Sequence, residues 1–156
     1  MADKQIAVIM GSSSDKDIMN KCLEYLDYFN VSYETKILSA HRNPDDLDAY
    51  IKNIESKGTE VIIAGAGMAA ALPGVIASKV CIPVIGVPLD SSPLSGVDAL
   101  YSIVQMPPGI PVATVAIGSA GAKNAAILAV EILALQDNKL RNKLIDFRKN
   151  GSKIKK

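Results

Sequence analysis

The 156-residue chain contains one histidine, His41, and beside it stands Arg42, the sole arginine before residue 139. Imidazole is the side chain whose unperturbed proton affinity lies near neutral pH, so proton transfer by an ordinary group falls to His41. The guanidinium of Arg42 is a rigid fork of donors suited to a phosphate or a carboxylate. The pair lies in Ser39-Ala40-His41-Arg42-Asn43-Pro44-Asp45, where an extended stretch gives way to a helix start. Strand-to-helix junctions of this kind are where open α/β sheets hold their ligands. By spacing alone, a His-Arg pair in a surface turn is an equal reading. The scarcity of both residue types favours the chemical one.

Other loops carry weaker signals. Gly11-Ser12-Ser13-Ser14-Asp15 offers backbone N–H groups and three hydroxyls at a helix start, the chemistry of an anion cradle. It matches neither the P-loop nor the dinucleotide fingerprint, and serines with an aspartate at such a place are caps by default. Gly65-Ala-Gly-Met-Ala-Ala-Ala-Leu-Pro-Gly74 has no titratable side chain. Its glycines permit close backbone approach to a ligand or simply tight packing, and its Ala/Leu/Pro run would wall a small dry pocket. Gly118-Ser-Ala-Gly-Ala-Lys-Asn opens a segment of small residues suited to close helix packing. One histidine and two scattered cysteines make no metal-ligand cluster, and no serine sits in a nucleophile elbow.

The elements that must position these residues alternate in type. Short apolar strands are expected at Gln5–Met10, Ser32–Leu38, Glu60–Ala64, Pro83–Val87 and Pro111–Ile117. Helices follow from the loop after Met10 through Leu26, from Asn43-Pro44, from about Lys123 to Leu135, and from about 138 to 148. Asn43 reads as a cap, Pro44 suits the first helical position, and Asp45 and Asp46 favour the positive end of the dipole. The alternation predicts a three-layer αβα sandwich around a central parallel sheet, flavodoxin-like or Rossmann-like, in a single domain over residues 1–156. The stretch 89–110, with Pro93, Gly96, Pro107, Pro108 and Gly109, is long for a connection and reads as functional or as an interface.

Charge is divided unevenly along the chain. Residues 1–138 hold nine Lys/Arg against fifteen acids, whereas the remainder holds eight against Asp146 alone. A basic tail can bind nucleic acid, but Asn138–Phe147 spaces its apolar residues as an amphipathic helix, so no nucleic-acid partner is expected. Cys22 and Cys81 read as buried thiols in a reducing compartment. No leader precedes the first strand and Gly or Pro breaks every long apolar stretch, so a cytoplasmic chain without a membrane partner is expected.

Taken together, Gly11-Ser-x-Ser-Asp15, Ser39-Ala-His-Arg-x-Pro-Asp45, Ile63-Ala-Gly-Ala-Gly67, Leu94-Ser-Gly-Val-Asp98, Tyr101-Ser-Ile-Val-Gln-Met-Pro107 and Gly109-Ile-Pro-Val112 resemble one family. It is that of the bacterial-type N5-carboxyaminoimidazole ribonucleotide mutases, and the resemblance runs from about residue 6 to 148. It implies interconversion of N5-carboxyaminoimidazole ribonucleotide and 4-carboxy-5-aminoimidazole ribonucleotide in purine synthesis, with no cofactor and no metal. It implies a homo-octamer with sites completed by neighbouring subunits, supplied by an ATP-dependent N5-carboxyaminoimidazole ribonucleotide synthase. Carried over residue by residue, His41 is the acid and base. Ser12, Asp15, Ser39, Ala40, Arg42, Ala66, Gly67 and Leu72 contact the ribonucleotide.

Two positions depart from the family pattern Gly-Ala-Gly-Gly-Ala-Ala-His-Leu-Pro-Gly: Met68 replaces the glycine at its fourth place and Ala71 its histidine. A second imidazole is therefore missing. Two other functions compete: direct carboxylation of aminoimidazole ribonucleotide with CO2, as the animal-type relatives perform, and a non-catalytic flavodoxin-like nucleotide-binding module.

Overall fold

Near-continuous apolar runs form strands buried on both faces, and the computed structural model, which describes residues 5–154, places them at the centre of the molecule. The strands are β1 (Ile6–Met10), β2 (Tyr33–Ile37), β3 (Val61–Ala66), β4 (Val84–Pro88) and β5 (Ala113–Thr114). They form one parallel sheet in the order β2-β1-β3-β4-β5. Successive side chains leave opposite faces. Ile6, Val8, Met10, Val61, Ile63, Ile85 and Val87 therefore meet α1 (Lys16–Phe29), α5 (Gly118–Leu133) and α6 (Asn138–Lys149). Ala7, Ile9, Ile62, Ala64 and Val84 meet α2 (Pro44–Ile51), α3 (Leu72–Ala77) and α4 (Val97–Val104). The three-layer parallel sandwich expected from the sequence is the one observed.

Chain order gives the sheet a reversal. From β1 the chain crosses to β2 on one side, then returns to β3 on the other. Parallel register aligns the ends: Met10 pairs with Ile37 and Gly65, and Ala66 with Pro88. The loops after these four strands thus emerge together at one edge, over the switch point where such sheets bind ligands.

Several expectations need correction. The strand expected over Pro111–Ile117 shrinks to Ala113–Thr114. Val115 N–H still donates to Gly86 O (3.1 Å), but the next ladder bond would come from Pro88, which has no N–H. β2 is not the apolar run expected of every strand, because it is an edge and Thr35, Lys36 and Ile37 are exposed. α5 begins at Gly118 rather than near Lys123, and within its first turns Gly121 packs against Ala116 O too closely to admit any side chain. The 89–110 segment contains the unforeseen α4, which buries Ala99 and Ile103. Cys22 is buried, and that burial pushes its thiol up to about 12, but Cys81 is exposed on the approach to β4.

The tail folds as its spacing predicts. Asp137 caps α6 by accepting from Lys139 N–H (2.8 Å) and Leu140 N–H (3.1 Å). Leu140, Leu144 and Phe147 are buried in the α1/α5 layer, each worth about 1.5–3 kcal/mol at full burial. Lys155 and Lys156 lie outside the described residues. Among the described residues no helix is long and apolar enough to cross a membrane.

Candidate active site

The loops at the switch point enclose a cleft of about 360 Å3. One wall is polar and comes from the loops after β1 and β2. The other runs from Ala66, the last residue of β3, through Gly67, Met68, Ala69, Ala70 and Ala71 to Leu72 at the start of α3, with Ser91 reaching in from the loop after β4. All nine residues singled out from the sequence (Ser12, Asp15, Ser39, Ala40, His41, Arg42, Ala66, Gly67 and Leu72) line this one cleft.

The polar wall is shaped by side chains that bind their own backbone. Ser12 Oγ accepts from Ser14 N–H (3.3 Å), and Asp15 Oδ2 accepts from Ser12 N–H (2.9 Å), a reciprocal capping box before α1. Capping and a place at the cleft are therefore not exclusive here: the box holds Ser12 and Asp15 on the cleft wall. The Asp15 carboxyl is buried. Burial raises its pKa above the ordinary 3.8, and hydrogen bonds from Ser12 and Ser14 and the charge of Arg42 offset part of the rise.

The turn after β2 is held the same way. Ser39 Oγ accepts from His41 N–H (3.3 Å) and Arg42 N–H (3.2 Å). Asn43 stands at the cap position of α2, but its side chain makes no cap bond; Oδ1 accepts from Ser39 N–H at 2.7 Å instead. Ser39 and Asn43 thus fix the hairpin on which His41 and Arg42 project. Both of those side-chain-bearing residues are exposed on the cleft rim.

The apolar wall is shaped by close packing. A Cβ on Gly65 would fall 2.4 Å from Met19 Sδ, and one on Gly67 would fall 2.4 Å from Ser91 Oγ. Glycine at 67 is what admits the Ser91 hydroxyl to the cleft. Met68 has φ +56°, in the left-handed region, and its side chain is 61% exposed. Ala71 stands at the N-cap of the short α3. Ser91 was not singled out from the sequence. Its signal was indirect: it falls in the long 89–110 segment that reads as functional.

A second hollow, about 450 Å3, opens between α1, α5 and α6 and is lined by Tyr25, Lys123, Asn124 and Arg148 among others. It is larger, yet it holds no residue that exchanges protons near neutrality, and Arg148 is already bound to Glu131 (2.5 Å). Among the described residues no group of three or more His, Cys, Asp or Glu is placed to hold a metal ion.

Residues 5–153 match the family described as AIR carboxylase. The chain belongs to the AIR carboxylase family. It is 57% identical to the N5-carboxyaminoimidazole ribonucleotide mutase of Haemophilus influenzae over 150 residues, covering 96% of this chain and 92% of that one. Identity to the mutase so named in Escherichia coli K12 is 54% (93% and 86% covered), and to that of Pyrococcus abyssi 53% (94% and 83%). The crystal structure of Treponema denticola PurE superposes with a TM-score of 0.85 at 30% identity, covering 94% of this chain and 90% of that one. The family frame gives the cleft's composition a context: Met68 and Ala71, the two departures noted in the sequence, both stand on the apolar wall.

Proposed function

We propose that this chain is an isomerase that interconverts N5-carboxyaminoimidazole ribonucleotide and 4-carboxy-5-aminoimidazole ribonucleotide in purine synthesis, with His41 as acid and base. Its relatives carry that activity in their names. The observation that carries the reading is the division of the cleft: one imidazole and one guanidinium face a seven-residue wall with no titratable side chain.

The chemistry needs that division. The N-carboxylate leaves as CO2 while His41 gives a proton to the exocyclic nitrogen. Carbon 4 then attacks the CO2, and the same imidazole, now neutral, removes the ring proton. One group serves both transfers and ends as it began. Between the steps CO2 must neither escape nor hydrate, which suits the dry Ala/Gly wall. Arg42 and Ser12, beside the start of α1, hold the phosphate; Asp15 accepts from the ribose hydroxyls. Ser39, Ala40, Ala66, Gly67 and Leu72 line the bound ribonucleotide. The reaction uses no cofactor.

Val97, Tyr101 and Val104 form an exposed apolar stripe along α4, with exposed Leu94 in the turn before it. That stripe supports self-association of the chain; a homo-octamer with sites shared between neighbours is what the family resemblance implies. A cytoplasmic setting with an ATP-dependent synthase upstream completes the proposal.

The family description, AIR carboxylase, also admits direct carboxylation of aminoimidazole ribonucleotide. An ATP-free assay separates the two. Efficient turnover of the N5-carboxy compound is expected, and turnover only from aminoimidazole ribonucleotide plus bicarbonate would overturn the mutase reading. Tight nucleotide binding without either conversion would favour a non-catalytic module. A solution mass near 16.5 kDa would remove the shared-site proposal.

A further inference from the structure

The apolar wall contains one side chain that neither packing nor backbone preference explains. Met68 holds φ +56°, a conformation glycine adopts freely and other residues rarely do. Its turn is tightly fixed: Ala70 N–H donates to Met68 O (2.9 Å) and Ala71 N–H to Ala69 O (2.7 Å). Despite its size, the thioether side chain is 61% exposed. Around it stand Ala66, Gly67, Ala69, Ala70 and Ala71, none of which reaches far into the cleft. Leu72 is already buried in the α3 layer, so Met68 is the one long side chain of the wall free to move.

We propose that Met68 is a specificity residue for carboxyl retention: its thioether folds across the cleft once the ribonucleotide is bound and fills the space the alanines leave. The inference rests on the mutase reading above. Methionine is unbranched and flexible, so it can lie open in the empty cleft and close over an irregular ligand. Strained backbone persists where its surroundings over-determine it and function uses it. Here the strain aims a mobile apolar group at a chamber that must confine CO2 between two steps.

Two measurements on the full chain test this. The first is the fraction of N5-carboxyaminoimidazole ribonucleotide lost as aminoimidazole ribonucleotide and CO2, above the rate without protein. Met68→Gly relieves the backbone and raises Tm by about 2–4 °C, yet the lost fraction rises about five-fold or more. Met68→Leu keeps an apolar group of similar volume and stays within about two-fold of the parent. A Met68→Gly protein that retains CO2 as well as the parent, or that loses only its assembly, overturns the proposal.

The second measurement needs no turnover. Peroxide oxidation of Met68, read by peptide mass spectrometry, should slow at least about three-fold with saturating 4-carboxy-5-aminoimidazole ribonucleotide, because the sulfur leaves solvent. Met10 and Met19, 3% and 0% exposed, serve as internal controls. Unchanged oxidation of Met68 overturns closure. If the parent chain converts no N5-carboxy substrate, the mutase reading fails, and the oxidation arm still decides whether Met68 closes over a ribonucleotide.

Discussion

The two walls of the cleft stand on the same sheet edge but are built on opposite rules. On the polar wall, side chains fasten their own backbone: Ser12 with Asp15, Ser39 with the N–H groups of His41 and Arg42, Asn43 with Ser39. On the apolar wall, contact does the fastening, with Gly67 against Ser91 and, in β3 just before the wall, Gly65 against Met19. The first wall presents charge on a fastened turn; the second presents a packed apolar surface from which Met68 alone extends. A substitution on one should therefore change proton transfer or binding, and a substitution on the other should change what the cleft can confine.

The sharpest break in that division is His41→Asn. The amide keeps a polar group of similar size but cannot exchange protons near neutrality, so kcat should fall about 10^2–10^4-fold. The residue is exposed on the rim. Tm should therefore move little, within the roughly 0.5 kcal/mol typical of surface changes. Ribonucleotide affinity, measured by calorimetry, should stay within about three-fold because Arg42, Ser12 and Asp15 remain. Full mutase activity in this variant would remove proton transfer from the polar wall altogether.

Asp15 sharpens the same comparison through pH. Burial raises its pKa above 3.8 despite the hydrogen bonds from Ser12 and Ser14 and the charge of Arg42. As pH falls through that raised value, the carboxylate takes up a proton and, in its proposed role, becomes a poorer acceptor for ribose hydroxyls. KM for the ribonucleotide should rise on the acid side, at a pH above that of an ordinary aspartate. Stability moves the other way for this group. The folded state holds the proton more tightly than the unfolded chain, so its contribution increasingly favours folding as pH falls through the raised pKa. Weak binding in acid would thus not be unfolding. Asp15→Asn should weaken binding about ten-fold near neutrality and flatten the acid limb of KM; a limb that survives the substitution assigns it elsewhere.

What was legible in the sequence follows from how local each signal is. β1, β3 and β4 are apolar runs because both sheet faces are covered, and that composition is visible without tertiary knowledge. His41 and Arg42 stood out by scarcity, and Pro44 with two aspartates marked the start of α2. α4 was hidden because Pro93 and Gly96 mask a helix whose order comes from burying Ala99 and Ile103. β5 was overextended because its length depends on the missing N–H of Pro88 on another strand. Ser91 depends on the absent Cβ of Gly67, a contact between distant loops. Likewise nothing local shows that Asn43 turns back to Ser39, or that Cys81 is exposed while Cys22 is not.

The smallest effect tests the comparison most directly: Ala71→His, which puts an imidazole on the wall that supplies volume. Position 71 lies at the N-cap of α3, where the helix dipole disfavours a cationic ring. Under the proposed mechanism, a neutral imidazole there cannot deliver the proton that the departing carboxylate requires. Turnover should therefore stay within about three-fold of the parent, with no additional ionisation in the pH dependence of kcat. In a His41→Asn background the added ring should recover less than about 1% of the lost rate, since its wall directs no proton to the exocyclic nitrogen. The ring also occupies cleft space, so KM should rise by about two- to five-fold. A ten-fold gain in kcat, or rescue of His41→Asn, would show that either wall can move protons. The cleft's activity would then depend on having an imidazole anywhere in it, rather than on the turn that Ser39 and Asn43 hold in place.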